Sequence, residues 1–419
     1  MELEVIPQEA RQRLDQIGGA DLVIGIIGAE SAPKIGSAIE PVNRALASLS
    51  AGVKTVVFHN ASHDEVSAQL HDPEGNGSSL WIGYPGLTPN QPVSPAQSIV
   101  EAYRTVFTLS DGLKARACVL IASDLETVTA QWISRLVQPI LERKFDLVAP
   151  CYARNKFEGL INSAIISPLI RSLYGRRIQN PMGPDCGISA ALLQRFVDHG
   201  SSPPSSGRAR PPMSIATDAI CGSFQICQAY VGRRFYSSTD SMNLSSVITE
   251  VLGPLFLDIE RNAAFWQRVR GSQPIPTFGD PLPVAEEIGT VDVRRMIESF
   301  QLGSENLQEI WGLVLPPATL FELKKLARVA PDRFRIPDEL WARIVYDFTL
   351  AHRLRIINRD HLLRAMTPLY LGWTASYALE METAVPAVVE QRLERLCLAY
   401  EAGKTYFLSR WRWPDRFNP

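Results

Sequence analysis

The sequence lacks the spacings that announce a metal-stapled or secreted protein. Its six cysteines, Cys118, Cys151, Cys186, Cys221, Cys227 and Cys397, form no CxxC pair, and no histidine stands at zinc-finger spacing from any of them. A structural zinc site is therefore not expected. No window approaches about eighteen consecutive apolar residues, so no membrane-spanning helix is expected. The opening MELEVIPQEARQRLDQ is acidic and has no apolar core of a secretory signal. Free thiols with neither signal nor span predict a cytoplasmic protein. Charge of one sign is missing as well. A formal net charge of -2 sets up no global field toward nucleic acid or an anionic membrane, and leaves only a local basic patch as a route to either.

Other absences exclude reaction classes. Gly25-Ile-Ile-Gly28 is not G-x-G-x-x-G, which argues against a nicotinamide dehydrogenase. No G-x-S-x-G elbow supports a serine hydrolase. The segment Gly28–Lys34 lacks the glycine-rich, Lys/Arg-bearing loop that a nucleotidyltransferase carries after its first strand.

What is present is ordinary globular composition, 46% hydrophobic and 21% charged over 419 residues, enough for two or three domain-sized units. The first two-thirds alternates short apolar runs with amphipathic stretches, the pattern of an α/β sheet. Strands are expected at Asp21–Ile27, Lys54–Phe58, Ser79–Ile82, Ala117–Ala122 and Asp146–Ala149. Polar alternation is missing from DLVIGII and ACVLIA, as in parallel strands covered on both faces. Helices are expected over Ser37–Leu49, Pro95–Leu109 and Ala130–Arg143. The Pro/Ser-rich stretch Ser201–Pro212 reads as a mobile loop, a lid over a bound ligand. Gly271–Pro283 marks a boundary between a unit spanning residues 1–270 and a helical region, 284–419. In the latter, Pro337–Leu354 is amphipathic, with Pro337 and Asp338 suited to its first turn and His352 beside the apolar stripe. Val389, Leu393, Leu396, Tyr400, Gly403 and Phe407 form a seam. That apolar face suits packing within the chain or across a homodimer.

Asp124 follows the ACVLIA strand, at the carboxyl end where an aspartate holding a divalent cation on a diphosphate belongs; a helix-capping role competes with that reading. Arg154 and Lys156, in Pro150-Cys-Tyr-Ala-Arg-Asn-Lys-Phe-Glu-Gly159, suit an anion such as a diphosphate or a carboxylate. The Gly183–Ser189 loop can bring backbone N–H groups close to a ligand. His59 and His63 flank the turn after the second strand, where a surface role is at least as good as a ligand role.

Two segments then carry a resemblance. Tyr152, Arg154, Lys156, Gly159, Leu173, Tyr174, Gly175, Pro181, Gly183, Asp185, Gly187 and Ser189 match a Y-x-R-x-K-x-x-G, L-Y-G and Q-P-x-G-G-D/E-x-G-x-S succession. Ala219–Gly232 resembles A-I-x-x-G-F-x-I-x-Q-x-x-L-G. On these residues the chain resembles the bacterial glycosyltransferases of the glucosylglycerate and mannosylglycerate synthase group. The likeness is strong in the middle of the chain and diffuse at its start. It implies a GT-A fold, with a mostly parallel Rossmann-like sheet, and a retaining transfer of glucose or mannose. The donor would be a UDP- or GDP-hexose and the acceptor glycerate or a related small acid, with Mg2+ or Mn2+ as cofactor. It further implies catalytic carboxylates at Asp185 and, out of register, Asp218. Donor contacts fall to Asn60, Asp64, Ser123 and Asp124; acceptor contacts fall to Tyr152, Arg154, Lys156, Gly183 and Ser189; metal contacts fall to Asp124 and Tyr236.

The departures cluster on the metal. The group's D-x-D reads Ala122-Ser123-Asp124; its metal-binding histidine has Tyr236 as counterpart, a poor ligand when neutral; and its second loop glycine is Pro184. Arg233 and Arg234 stand where they can partly replace a cation on the diphosphate. A catalytically silent relative that binds a nucleotide sugar or a partner protein is the alternative reading.

Overall fold

The structure, a computed structural model, describes residues 12, 14–15, 18–27, 32–49, 53–61, 79–85, 95–122, 127–200, 214–234, 244–281 and 291–414. In chain order the first elements are β1 (Leu22–Ile26), α1 (Ala32–Ala47), β2 (Thr55–Ala61), β3 (Ser79–Pro85), α2 (Pro95–Gly112), β4 (Ala117–Ile121), α3 (Ala130–Leu141) and β5 (Leu147–Ala153). A π-helical turn (Asn162–Ile166) and α4 (Ser167–Tyr174) follow, then β6 (Cys186–Ser189), α5 (Ala190–Gly200), α6 (Ser214–Cys221) and β7 (Ile226–Arg233). Next come α7 (Leu244–Arg261), α8 (Ala263–Trp266), β8 (Thr277–Phe278), α9 (Val293–Asn306), α10 (Gln308–Val314) and α11 (Pro317–Leu326). The chain closes with α12 (Asp338–Leu354), α13 (Arg359–Ala365), α14 (Thr367–Met381) and α15 (Pro386–Arg412).

Two compact units emerge, and they interleave along the chain. One holds residues 1–153, 179–235 and 275–284; the other holds 154–178, 236–274 and 285–419. These units are not divided by a single cut near residues 271–283. The apolar faces of α4, α7 and α8 pack with the C-terminal helices, a long-range choice that no local composition shift reveals.

The first unit is the expected α/β class. Its eight strands are ordered β3-β2-β1-β4-β6-β5-β7-β8, all parallel except β6, which runs antiparallel between β4 and β5. β1 and β4 lie within one residue of their expected spans and are wholly buried, as their unbroken apolar runs require. One face is covered by α1 and α3, which close a core of Ile24, Ile26, Val42, Val119, Trp132 and Leu136. On the other, a Cβ at Gly25 would come 2.7 Å from Val106 of α2, so only glycine lets that helix approach. β2 runs past the expected Phe58. His59 is not on a turn but inside the strand, 1% exposed and paired with Ile26. His63 lies outside the described residues, as does the Ser201–Pro212 loop.

Among the described residues the second unit is all helical but for one isolated bridge, Arg176 with Gln273. Here the predicted seam holds: Leu396, Tyr400 and Phe407 of α15 are buried, and Phe407 stacks on Tyr346 of α12 at 4.7 Å. Pro337 proves to be the N-cap of α12 rather than part of its first turn. His352 is buried edge-on against Phe256, a packing role. The π-helical turn presents the Ala164 carbonyl to two donors, the Trp341 indole at 3.0 Å and the Tyr400 hydroxyl at 2.8 Å. No described helix is long and apolar enough to cross a membrane.

Lys404 gives this unit a pH signature. It is buried, and its ammonium donates to the Leu173 and Val269 carbonyls at 3.1 and 3.0 Å. Burial, with the charge of Arg270 adding and Glu401 opposing, brings its pKa down to about 8. Between about pH 8 and the ordinary lysine value the unfolded chain holds a proton that the folded chain has lost. Lys404 therefore adds stability as pH rises through that window. Urea melts of wild type and Lys404→Met from pH 7 to 10 should show the wild type gaining on the variant above pH 8. Parallel curves would remove Lys404 as their cause.

Candidate functional site

In a doubly wound sheet, ligands sit outside the carboxyl ends of the strands where the winding direction reverses. Here β1 to β3 wind one way while β4, β5 and β7 wind the other, so the reversal lies between β1 and β4. The residue leaving β4 at that edge is Ala122. β6 brings the next group there because it runs backwards. Cys186 pairs with Leu120, so Asp185, one residue earlier, arrives beside the exit of β4.

Asp185 is fully buried and joins two strand ends. Its Oδ1 accepts from the Ala122 amide at 2.8 Å, and its Oδ2 accepts from the Tyr152 hydroxyl at 2.5 Å. Tyr152 lies near the end of β5, its ring 5.7 Å from that of Trp132 and 5.5 Å from the guanidinium carbon of Arg234. Trp132 in turn packs on Gly232, where a Cβ would stand 2.9 Å from the indole. Thus Trp132, Tyr152 and Arg234 cluster at the ends of β5 and β7, with Asp185 tying that cluster to the backbone at Ala122. Arg233, paired with Ala153, closes β7 at the same edge.

The approach loop is held from both sides. The Asn180 side chain donates to the Pro150 carbonyl at 2.9 Å, and a Cβ at Gly183 would lie 2.4 Å from the Pro150 ring. Gly183 is thus required for close packing. The Tyr103 hydroxyl of α2 donates to the Pro184 carbonyl. Burial pushes the Tyr103 phenol well above its ordinary value, with the charge of Asp185 adding and that of Arg234 opposing. Tyr103 and Asn180 escaped the sequence reading: one looked like a helix-core aromatic, the other lay between matched motif positions. Cys118 is pushed up to about 12 by burial and Cys186 is raised for the same reason first, so neither is a thiolate nucleophile.

Within the sheet-bearing unit not every predicted residue reaches this edge. Ser189 ends β6 opposite Ala117, at the amino ends of the parallel strands. There its hydroxyl donates to Asp146 at 2.7 Å and accepts from the Leu192 amide at 3.3 Å, capping α5. Lys156 belongs to the helical unit, where its ammonium donates to the Glu382 carbonyl at 2.7 Å, just past α14. That bond caps the end of a helix. Arg154 lies in the same unit with its guanidinium over Gly159, where a Cβ would come within 2.5 Å. Asp218 is 8% exposed within α6, which packs on β5. Asn60 falls in β2, in register with Tyr84 of β3. Asp64, Ser123, Asp124 and Tyr236 lie outside the described residues.

Among the described residues no three His, Cys, Asp or Glu side chains gather as a cation site. Asp185, at the β4 exit, is engaged by an amide and a hydroxyl. The described residues alone therefore do not make a ligand set for Mg2+ or Mn2+.

No protein-family model and no curated protein matches the chain. Solved structures do. Glucosyl-3-phosphoglycerate synthase from Mycobacterium tuberculosis, in complex with Mg2+ and uridine diphosphate, is similar at 17% identity over 59% of this chain and 82% of that one, with a TM-score of 0.40. Mannosyl-3-phosphoglycerate synthase from Rubrobacter xylanophilus is similar at 12% identity over 65% and 84%, with a TM-score of 0.41. A mannosyltransferase from Pyrobaculum calidifontis, in complex with GDP-Man and Mn2+, is similar at 9% identity over 95% and 88%, with a TM-score of 0.37. With values this low, the likenesses assign no role to any residue.

Proposed function

We propose that the chain is a GT-A type glycosyltransferase that holds a nucleotide sugar at the carboxyl edge of its sheet and passes the hexose to a small acid. The observation that supports this most is the bracing of the β4 exit by Asp185 and Tyr152, with Arg234 stacked on the same ring. Hexose transfer leaves charge on a departing diphosphate, and fixed cations beside that position lower the barrier because they need not reorganise. Arg233 and Arg234 supply such charge at the end of β7. Asp185, buried and doubly bonded, acts in this reading by fixing the backbone that enters Ser123 and Asp124, not by touching the sugar. A divalent cation would add charge neutralisation at the diphosphate, with Asp124 as the residue of this chain best suited to hold it.

Calorimetric titration with UDP-glucose and GDP-mannose, with and without Mn2+, tests the reading. One donor should bind, and Arg234→Gln should weaken it by about 10- to 100-fold, the worth of one charge-assisted hydrogen bond. Incubation with glycerate and 3-phosphoglycerate should then yield the glycosylated acid. No binding of either donor would sink the proposal. Binding without transfer to any small acid would favour the silent relative, whose supporting feature is Ala122 in place of an acid.

A further inference from the structure

Although the chain as a whole is nearly neutral, one end of the helical unit is not. α12 and α15 end together there: the Arg353 guanidinium donates to the Trp411 carbonyl at 2.8 Å and lies 4.1 Å over its ring. The Arg412 side chain donates to Gln267 at 3.1 Å, which joins the end of α15 to the segment after α8. That segment carries Arg268 and Arg270 and continues to Gln273, which pairs with Arg176, while the Arg177 guanidinium donates to Ser272 at 3.0 Å. The side chain of Val269 packs against Gly175, closing the two turns on each other. Arg176, Arg177, Arg268, Arg270 and Arg412 are all exposed. None of the five forms an ion pair among the described residues.

The nearby acids are held by other groups. Arg171 takes Glu394 with two hydrogen bonds and Glu401 with a third, and Asp258 accepts from the Tyr174 hydroxyl. The charge of Arg177 only assists in holding the Glu394 carboxyl down. Next to Arg412 stands Trp413, 61% exposed, the most exposed large apolar side chain among the described residues. Five unneutralised guanidinium groups beside an exposed indole have the chemistry of a bilayer surface contact. Arginines meet anionic headgroups, and tryptophan partitions to the boundary between headgroups and chains.

We propose that this end of the helical unit docks on a membrane surface bearing anionic lipids, as a peripheral contact without a span. An acidic polymer such as nucleic acid would also meet the arginines. The exposed indole beside them favours lipid.

The test is sedimentation of the full chain with phosphatidylcholine vesicles, with and without phosphatidylglycerol, at about 0.15 M salt, where charges separated by more than about 8 Å are largely screened. Binding should require phosphatidylglycerol and fall steeply as salt is raised. Each basic residue near such a surface is worth roughly five-fold in affinity, so Arg176→Glu with Arg177→Glu should weaken binding by at least about 25-fold. Trp413→Ser should weaken it at every salt concentration, because its contribution is not electrostatic. All three positions are exposed, and unchanged thermal melting checks that the variants fold. The proposal is overturned by no binding to the acidic vesicles, by equal binding to neutral ones, or by a folded double variant that still binds like wild type. Duplex DNA binding at the same salt without vesicle binding would overturn it in favour of a nucleic-acid surface.

Discussion

Asp185→Ala should cost the sheet-bearing unit about 4 kcal/mol and free the backbone at Ala122. The carboxylate is fully buried and accepts one hydrogen bond from the Ala122 amide and one from the Tyr152 hydroxyl. Alanine leaves the buried Tyr152 hydroxyl and the half-buried Ala122 amide without this acceptor, each worth about 1–3 kcal/mol, more where the lost partner is charged. Relief from burying the carboxylate offsets part of that, which Asp185→Asn isolates. Asparagine keeps an oxygen for the amide and should lose only about half as much. Urea melts measure the stabilities, and hydrogen exchange at the Ala122 amide reports the brace itself. Protection there should vanish in the alanine variant and survive in the asparagine variant. An alanine variant within about 0.5 kcal/mol of wild type, the range of ordinary surface substitutions, would show that Asp185 braces nothing.

Arg171→Met should destabilise the helical unit by about 3 kcal/mol. The guanidinium, 6% exposed, grips Glu394 at 2.5 and 2.7 Å and Glu401 at 2.8 Å. Without it, Glu401 stays half-buried, with the Ser272 hydroxyl still donating to it but its cation gone. The cost falls mainly on Glu401, whose charge stays half-buried without its cation, whereas Glu394, 47% exposed, is left to water. The effect is pH-dependent with a definite sign. Hydrogen bonds from Arg171 are the first cause holding the Glu394 carboxyl below its usual range. Their stabilisation is present above the usual carboxylate pKa and is lost as pH falls through the lowered value. The gap between wild type and variant should therefore narrow on acidification, as melts at pH 7 and pH 3 would show. Arg171→Lys restores the charge but not the fork that meets two carboxylates, and should recover only part of the loss. A constant gap from pH 7 to pH 3 would refute the ion-pair account.

Local pattern made the strands legible where burial on both faces removed polar alternation, as in β1 and β4. It failed where a polar residue is buried. His59 looked like the start of a turn, yet it lies inside β2 because its neighbours β1 and β3 continue beside it. The reversed β6 was invisible for another reason. Cys186-Gly-Ile-Ser189 is only four residues long, and direction is set by partners far away in the chain. That reversal separates Asp185 from Ser189, which motif spacing had placed together. The partner of Lys156 was hidden in the same way, since the Glu382 carbonyl lies more than two hundred residues later. The cluster around Tyr152 and Asp185 was legible because both residues sit in one continuous motif. Tyr103 and Arg234 join it only through tertiary packing.

The chain passes between its two units five times, after residues 153, 178, 235, 274 and 284. A ribosome delivers sequence in order, and domains laid end to end can fold in turn as they emerge. Here that is denied. Residues 154–178 leave the ribosome long before α12 and α15, against which they finish packing, so the helical unit must wait for the last hundred residues. Neither unit can be inherited, excised or exchanged as a contiguous block. Any recombination that swaps one must keep the seams of the other, which ties the sheet and the helical unit to a single evolutionary history.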